Sequence, residues 1–259
     1  MNALNDKPEV SSSMAEAREC AVRLRESLPS SISVAALGVK SKAPFQLLST
    51  REALIWRTEE LARNACDALE RDDLAVAAIL TRAVTESAAV AWKLKDVLDT
   101  RQQQTTEQLN EILMRLLVGS RIWEDFPQAV QILTSIDRMD KRIPGVRRGY
   151  DNLSEMTHPN WQGVFGLYSR TDEAEFTTYF GRGLRGAENN KGMVADLLVG
   201  SLNLFEYAYN KISEAMPAFL AELEEIWPED EGERKRQERG LPPEPEQGRE
   251  RQRQSQVWD

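Results

Sequence analysis

The chain has 259 residues, which suits one large domain or two small ones. Its 42 acidic residues outnumber 33 lysines and arginines, giving a formal net charge of −9, and 41% of the residues are hydrophobic. This composition excludes a collagen-like repeat, a wholly disordered chain and a nucleic-acid binder that is basic overall, although a local basic patch stays open. We find no signal-peptide core and no segment near the ~20 apolar residues of a membrane span, so we expect a cytoplasmic protein without membrane attachment.

Helical spacing of hydrophobic residues dominates the sequence. Residues 1–44 are expected to form a lead-in with one helix, and residues 45–227 a helical domain. The segment Leu74–Leu98 contains no Gly or Pro and is apolar almost all round, which is typical of a central helix in a bundle. The predicted helices cover residues 14–28, 50–70, 74–98, 106–118, 127–138 and 191–226.

The pattern changes after Pro159. Alternating residues within 163–180 predict a β-hairpin ahead of the last helix, in which a break at Pro217 is left open. The fold class is therefore mainly α, a bundle of long antiparallel helices with a small hairpin inserted before the last long helix. Residues 228–259 hold four prolines, mixed charge and few apolar side chains, and we expect them to be disordered.

The single histidine, His158, excludes several kinds of site. A two-metal carboxylate centre in a bundle needs two Glu-x-x-His motifs, and only Glu155–His158 is present, so a homodimer would be required to supply the second. We therefore predict no metal. The glycines of Gly181–Gly186 match the letters of a dinucleotide fingerprint but lack its βαβ context, so no cofactor is predicted. The two arginines between those glycines could close over an anion.

The segment Tyr150–Asn160 is the most informative part of the sequence. If it is helical, four-residue spacing places Tyr150, Ser154 and His158 on one side, with Glu155 beside them. Pro159 then ends the helix, because proline disfavours helical geometry in the preceding residue. The result is a compact polar cluster between long apolar helices.

Arg82 and Glu86 interrupt the apolar helix upstream. Charges on a buried helix must be paired, because an unpaired buried charge costs several kcal/mol. One interpretation pairs Arg82 with Glu86 at i, i+4. The other is a shared network in which both meet Tyr150, Glu155 and His158. Whether such a network is structural or forms a binding or catalytic site stays open.

A local excess of positive charge adjoins the cluster. Residues 138–191 contain nine basic and seven acidic residues, in contrast to the acidic whole chain. Arg147 and Arg148 directly precede the cluster, and guanidinium groups suit phosphate or carboxylate. RNA or another phosphate-bearing ligand is therefore a candidate partner. A solvated loop is the alternative interpretation.

These residues resemble a set of bacterial helical proteins of unknown function. The resemblance covers about residues 50 to 215, and it lies in Tyr150-x-x-Leu153-Ser154-Glu155-x-x-His158-Pro159-Asn160 followed by Gly163, and in Arg82-x-x-x-Glu86. More distantly, the arrangement is similar to the HEPN superfamily, many of whose members are ribonucleases of toxin–antitoxin and antiphage systems with an R-x(4–6)-H motif. The positions for that arginine hold Asp151, Asn152 and Leu153 here.

Three hypotheses follow. The first is a non-enzymatic or cryptic helical module of a bacterial defence or stress system, with a polar pocket. The second is a HEPN-like ribonuclease in which His158 is the acid–base residue and Arg82 or Arg148 contacts phosphate. The third is a partner-binding scaffold that uses the hairpin and the tail. The candidate catalytic residues are His158, Glu155 and Arg82, and the candidate binding residues are Glu86, Tyr150, Ser154, Asn160, Arg147 and Arg148.

Overall fold

The protein is mainly α-helical, as predicted, and a two-stranded hairpin precedes the last long helix. The computed structural model describes residues 6–33, 41–226 and Gly240. Within them the α-helices are α1 (Asp6–Glu26), α2 (Ala43–Glu70), α3 (Leu74–Asp99), α4 (Thr106–Val118), α5 (Ile132–Arg142), α6 (Val146–Thr157) and α7 (Ala187–Ile226). A 3-10 turn spans Arg101–Gln103 and a π-helical turn spans Trp161–Gly166. The predicted disordered tail lies outside the described residues, apart from Gly240.

Helix α3 corrects the expectation that no segment is long and apolar enough to span a membrane. By length and composition alone it could cross a membrane, because an 18-residue window of it is sufficiently apolar. Half of that window is buried inside the protein, where residues such as Val84 and Ala88 are fully enclosed. Half of the apolar window of α3 thus belongs to the core, while Val76 and Ile79 near the start of the helix are about half exposed.

The hairpin is shorter than predicted. Strands β1 (Ser169–Asp172) and β2 (Thr177–Phe180) pair antiparallel, with Ser169 opposite Phe180. Residues 163–168, which we expected to be strand, are helical. The reason is local: the Asn160 side chain accepts a hydrogen bond from the backbone N–H of Gly163 and so starts a helical turn instead of a strand.

One helix start near a proline was predicted wrongly, and the structure answers the question left open at a second proline. Helix α5 begins at Ile132 and not at Pro127, because the Pro127 carbonyl instead accepts a hydrogen bond from the Ser120 N–H, 2.8 Å away, in the preceding loop. Helix α7 continues through Pro217. Buried side chains on both sides of that proline, Met216 and Phe219, favour continuation of the helix despite the lost hydrogen bond.

The chain divides into two compact units. The first combines the described parts of Met1–Leu28, Arg51–Asp96 and Val130–Asn210, and the second combines those of Pro29–Thr50, Val97–Ala129 and Lys211–Asp259. The predicted boundaries at residues 44 and 227 stay predictions.

The first unit has one apolar core, to which α1 contributes Ala17, Cys20, Ala21 and Leu24. Cys20 and Cys66 are free and buried, and burial raises the pKa of the Cys66 thiol to about 11. A buried hydrogen bond of 2.8 Å between the hydroxyls of Thr85 and Ser201 ties α3 to α7 inside this core.

Candidate ligand-binding site

Arg82 and Glu86 meet Tyr150, as the network hypothesis predicted. The Tyr150 hydroxyl donates a hydrogen bond to a Glu86 carboxylate oxygen at 2.9 Å and accepts bonds from Arg82 Nε at 3.1 Å and Nη2 at 2.9 Å. Arg82 also pairs directly with Glu86 at 3.5 Å. The i, i+4 pair and the cross-helix network therefore coexist, and together they join α3 to α6.

The Tyr150 hydroxyl belongs to a largely buried side chain. Tyr150 is 4% exposed, while the Arg82 and Glu86 side chains are about 30% exposed. Burial is the main cause that raises the pKa of Tyr150; Arg82 opposes the shift and Glu86 adds to it. The phenol thus keeps its proton and donates a hydrogen bond to the Glu86 carboxylate. Arg82 makes one further bond, from Nη1 to the Thr157 hydroxyl at 3.2 Å.

His158 lies outside this network, contrary to the hypothesis. It is exposed and forms the C-cap of α6, where its backbone N–H donates to the Ser154 carbonyl at 3.1 Å. Within the described residues, no hydrogen bond or ion pair joins its side chain to Arg82 or Glu86. The physical reason is Pro159, which forces His158 into extended geometry and ends the helix one residue before the four-residue spacing is completed.

Glu155, which was also predicted for the network, is absent from it, and so is Ser154 of the polar cluster. The Ser154 hydroxyl donates to the Tyr150 carbonyl at 2.8 Å, so its bond stays within α6. Glu155 turns away and accepts a bond of 2.6 Å from the Asn160 side-chain amide. The predicted cluster is thus split into a network at one side of α6 and a Glu155–Asn160 pair at its end.

The turn after α6 is built around Asn160 and Gly163. The Asn160 side-chain oxygen accepts from the Gly163 N–H at 3.0 Å, while its amide nitrogen holds Glu155. A Cβ on Gly163 would lie 2.1 Å from the His158 carbonyl oxygen, closer than any side chain can approach. The residues Glu155, Asn160 and Gly163 of the predicted motif therefore form a tight turn between α6 and the π-helical turn.

An open pocket of about 450 Å³ lies at this corner. We call it the amide pocket, because side-chain amides dominate its polar lining. Within the described residues, the amides of Gln162 and Asn190 make no hydrogen bond and are available to a ligand. The Trp161 ring, 59% exposed, supplies a flat aromatic surface. The lining residues are Asn152, Glu155, Met156, Asn160, Trp161, Gln162, Asn190 and Met193.

A second cavity of about 590 Å³ lies between the α2–α3 turn, the loop after the hairpin and the start of α7. We call it the cation cleft, after its four cationic side chains, Arg71, Arg182, Arg185 and Lys191. The carboxylates of Asp72, Asp73 and Glu188 also line the cation cleft. Arg182 and Arg185 are the two arginines of the Gly181–Gly186 segment, which could close over an anion.

The two arginines before the cluster do not take part in either cavity described above. Arg147 is held by carboxylates on both sides, Asp137 at 2.6 Å and Asp151 at 2.9 Å, which raise its guanidinium pKa. Arg148 is exposed on the surface of α6. Two of the predicted site residues, Glu155 and Asn160, line the amide pocket. Arg82, Glu86 and Tyr150 instead hold the helix that leads to it.

Several lining residues were missed from the sequence. Trp161 and Gln162 directly follow the predicted motif, and their position next to Asn160 was an available signal. Asn190 and Met193 come from α7, and only tertiary packing brings them to this corner.

Comparison with protein-family models, curated proteins and solved structures finds no match to the chain. The family resemblance of the motif stays a prediction.

Replacing Gly163 tests whether the corner needs this close approach. We expect Gly163→Ala to lower the free energy of unfolding by about 1–3 kcal/mol, because the backbone must shift to admit a methyl group. Gly200→Ala on α7 is the matched control, since a Cβ there meets nothing within 4 Å. It should leave stability unchanged or raise it by up to ~1 kcal/mol. Urea unfolding followed by circular dichroism measures both, and equal midpoints for wild type and Gly163→Ala would contradict the close approach.

Proposed function

We propose that the protein is a non-enzymatic helical module that binds a planar, polar heterocycle of the nucleobase type in the amide pocket. The observation that carries this proposal is the placement of two uncommitted side-chain amides, Gln162 and Asn190, beside the exposed ring of Trp161. Such a combination offers both hydrogen bonding and stacking to one flat ligand.

The hydrogen-bonding groups of the pocket match the edge of a base. A side-chain amide presents a donor and an acceptor side by side, which is how Asn and Gln read adenine in nucleic acids. Glu155 adds a carboxylate, which accepts hydrogen bonds from an exocyclic amino group. Asn160 holds Glu155 in place through the 2.6 Å bond. The pocket can therefore satisfy several polar atoms on one ligand edge.

The apolar groups of the pocket match the face of a base. Trp161 provides an aromatic surface, and Met156 and Met193 provide polarizable thioether side chains next to it. Every base has a π-face, so stacking of this kind is tolerant of base identity. The lining of the amide pocket thus supports a nucleobase-type ligand without selecting among the four bases.

A binding role fits the placement of the charged residues better than catalysis does. Arg82 and Glu86 are engaged with Tyr150, and the lining of the amide pocket does not include His158. General acid–base catalysis requires the acid or base within hydrogen-bond reach of the reacting proton. The pocket therefore offers recognition, with Glu155 as its one ionisable side chain.

Replacing Trp161 tests the proposal. We expect wild-type protein to bind at least one of adenosine, guanosine, cytidine and uridine, and Trp161→Ala to weaken that binding by about 1–3 kcal/mol through the loss of stacking. Trp123→Ala is the matched control, because this tryptophan is 63% exposed and lies in the second unit. Isothermal titration calorimetry measures the affinities. Absence of binding for all four nucleosides, or equal losses in both variants, would refute the proposal.

The HEPN-like ribonuclease is the second candidate, favoured by the exposure of His158 at the end of α6. A group that must reach a scissile phosphate has to be accessible, and His158 is. We expect purified protein to leave mixed-sequence RNA intact over hours at 37 °C, with and without added Mg²⁺. Cleavage by wild type that is lost in a correctly folded His158→Ala variant would establish the ribonuclease and overturn the non-enzymatic assignment.

A further inference from the structure

We propose that the cation cleft binds the phosphate of the same ligand, so that the ligand is a nucleoside monophosphate. This inference rests on the proposed function of the amide pocket, and it assigns a second subsite to the first unit. The base would lie against Trp161 in the amide pocket, and the phosphate would lie among Arg71, Arg182, Arg185 and Lys191 in the cleft.

The cleft adjoins the amide pocket, and two residues link their linings. Asn190 lines both cavities, so they share a wall. Arg185 lines the cleft and lies over the Trp161 ring, with its guanidinium carbon 5.6 Å from the ring centroid. The Trp161 ring therefore lines the amide pocket and also contacts a guanidinium of the cleft. This adjacency supports the proposal that one ligand occupies both cavities.

Donors remain unused in the cleft. Arg182 uses Nη1 for its ion pair with Asp73, at 2.6 Å, and Arg71 uses Nε for its pair with the same carboxylate, at 3.1 Å. Each guanidinium has five N–H donors in a planar fork, which matches phosphate oxygens. Arg185 is held by ring contacts and, in the part of the chain that the structure describes, by no carboxylate. Its in-plane donors are available to an anion.

The carboxylates of the cleft position these cations without saturating them. Asp73 lies between Arg71 and Arg182, and Asp72 pairs with Lys191 at 2.5 Å. The Arg71 and Arg182 side chains are more than 60% exposed, and ion pairs this exposed contribute little stability. A phosphate dianion can therefore take over these donors. Four cations against three carboxylates leave the cleft net positive in a chain that is acidic overall.

The first turns of α3 and α7 add to the same field. Residues 74–76, which begin α3, line the cleft, and so does Glu188 at the start of α7. The first N–H groups of a helix lack partners within the helix and favour negative charge nearby. The cationic side chains carry the proposal, and the helix ends strengthen the attraction for a phosphate.

Titration calorimetry with four ligands tests this inference on the 259-residue chain. The ligands are a nucleoside that binds the wild type, its 5′-monophosphate, ribose 5-phosphate, and a short oligoribonucleotide with a 5′-phosphate. We expect the monophosphate to bind at least about tenfold more tightly than the nucleoside, with this advantage falling as salt rises. Ribose 5-phosphate should bind more weakly than the monophosphate, and the oligonucleotide no more tightly.

The double variant Arg71→Gln/Arg182→Gln removes two exposed cations of the cleft and should keep its fold, which circular dichroism checks. We expect it to lose most of the monophosphate advantage while binding the nucleoside as the wild type does. Arg170→Gln, on the hairpin, is the matched control and should retain the advantage. Trp161→Ala should weaken nucleoside and monophosphate alike.

The outcomes separate the two proposals. Nucleoside binding without any gain from the phosphate, or an equal gain in wild type and the double variant, would overturn the phosphate subsite and leave the amide pocket standing. Ribose 5-phosphate binding as tightly as the monophosphate, or binding of the oligonucleotide alone, would overturn the nucleoside monophosphate assignment. No binding of nucleoside or monophosphate would overturn both proposals.

Discussion

One buried phenol hydroxyl connects the charged residues of α3 to α6. Tyr150 donates to Glu86 and accepts from Arg82, so the two charges within the apolar stretch 74–92 of α3 gain a partner from a neighbouring helix. Charged groups near a core are tolerated when their hydrogen bonds are complete, and they are costly when those bonds are missing. The position of α6 along α3 is therefore restricted to the register in which this hydroxyl meets both side chains.

The position of α6 determines where the pocket forms. Its first turns pack closely on α7, where a Cβ on Gly149 would lie 2.6 Å from Leu197 Cδ2, and its last turn delivers Thr157 to Arg82. The Asn160–Gly163 turn then begins at a fixed point and directs Trp161 into the pocket. Within this short segment, Tyr150 on α6 takes part in the network that stabilises the fold. The residues after α6, such as Trp161 and Gln162, face the amide pocket.

The sequence predicted the network better than it predicted the pocket. Arg82 and Glu86 were identifiable because charge is conspicuous on an apolar helix, and four-residue spacing pointed to Tyr150. His158 was assigned to the same group because helical spacing was extended one residue too far, past the point at which Pro159 ends the helix. Asn190 could not be found from local sequence, because α7 reaches this corner only through packing. The mainly α fold followed from apolar spacing, while strand β1 was overestimated because the Asn160 cap competes with strand geometry.

A double-mutant cycle between Arg82→Met and Tyr150→Phe measures the central interaction most directly. If the hydroxyl links α3 to α6, the free energies of unfolding of the two single variants and the double variant should be non-additive by about 0.5–3 kcal/mol, because each single change already breaks the shared bonds. Additivity within roughly 0.3 kcal/mol would show that Arg82 and Tyr150 act independently and would contradict this account.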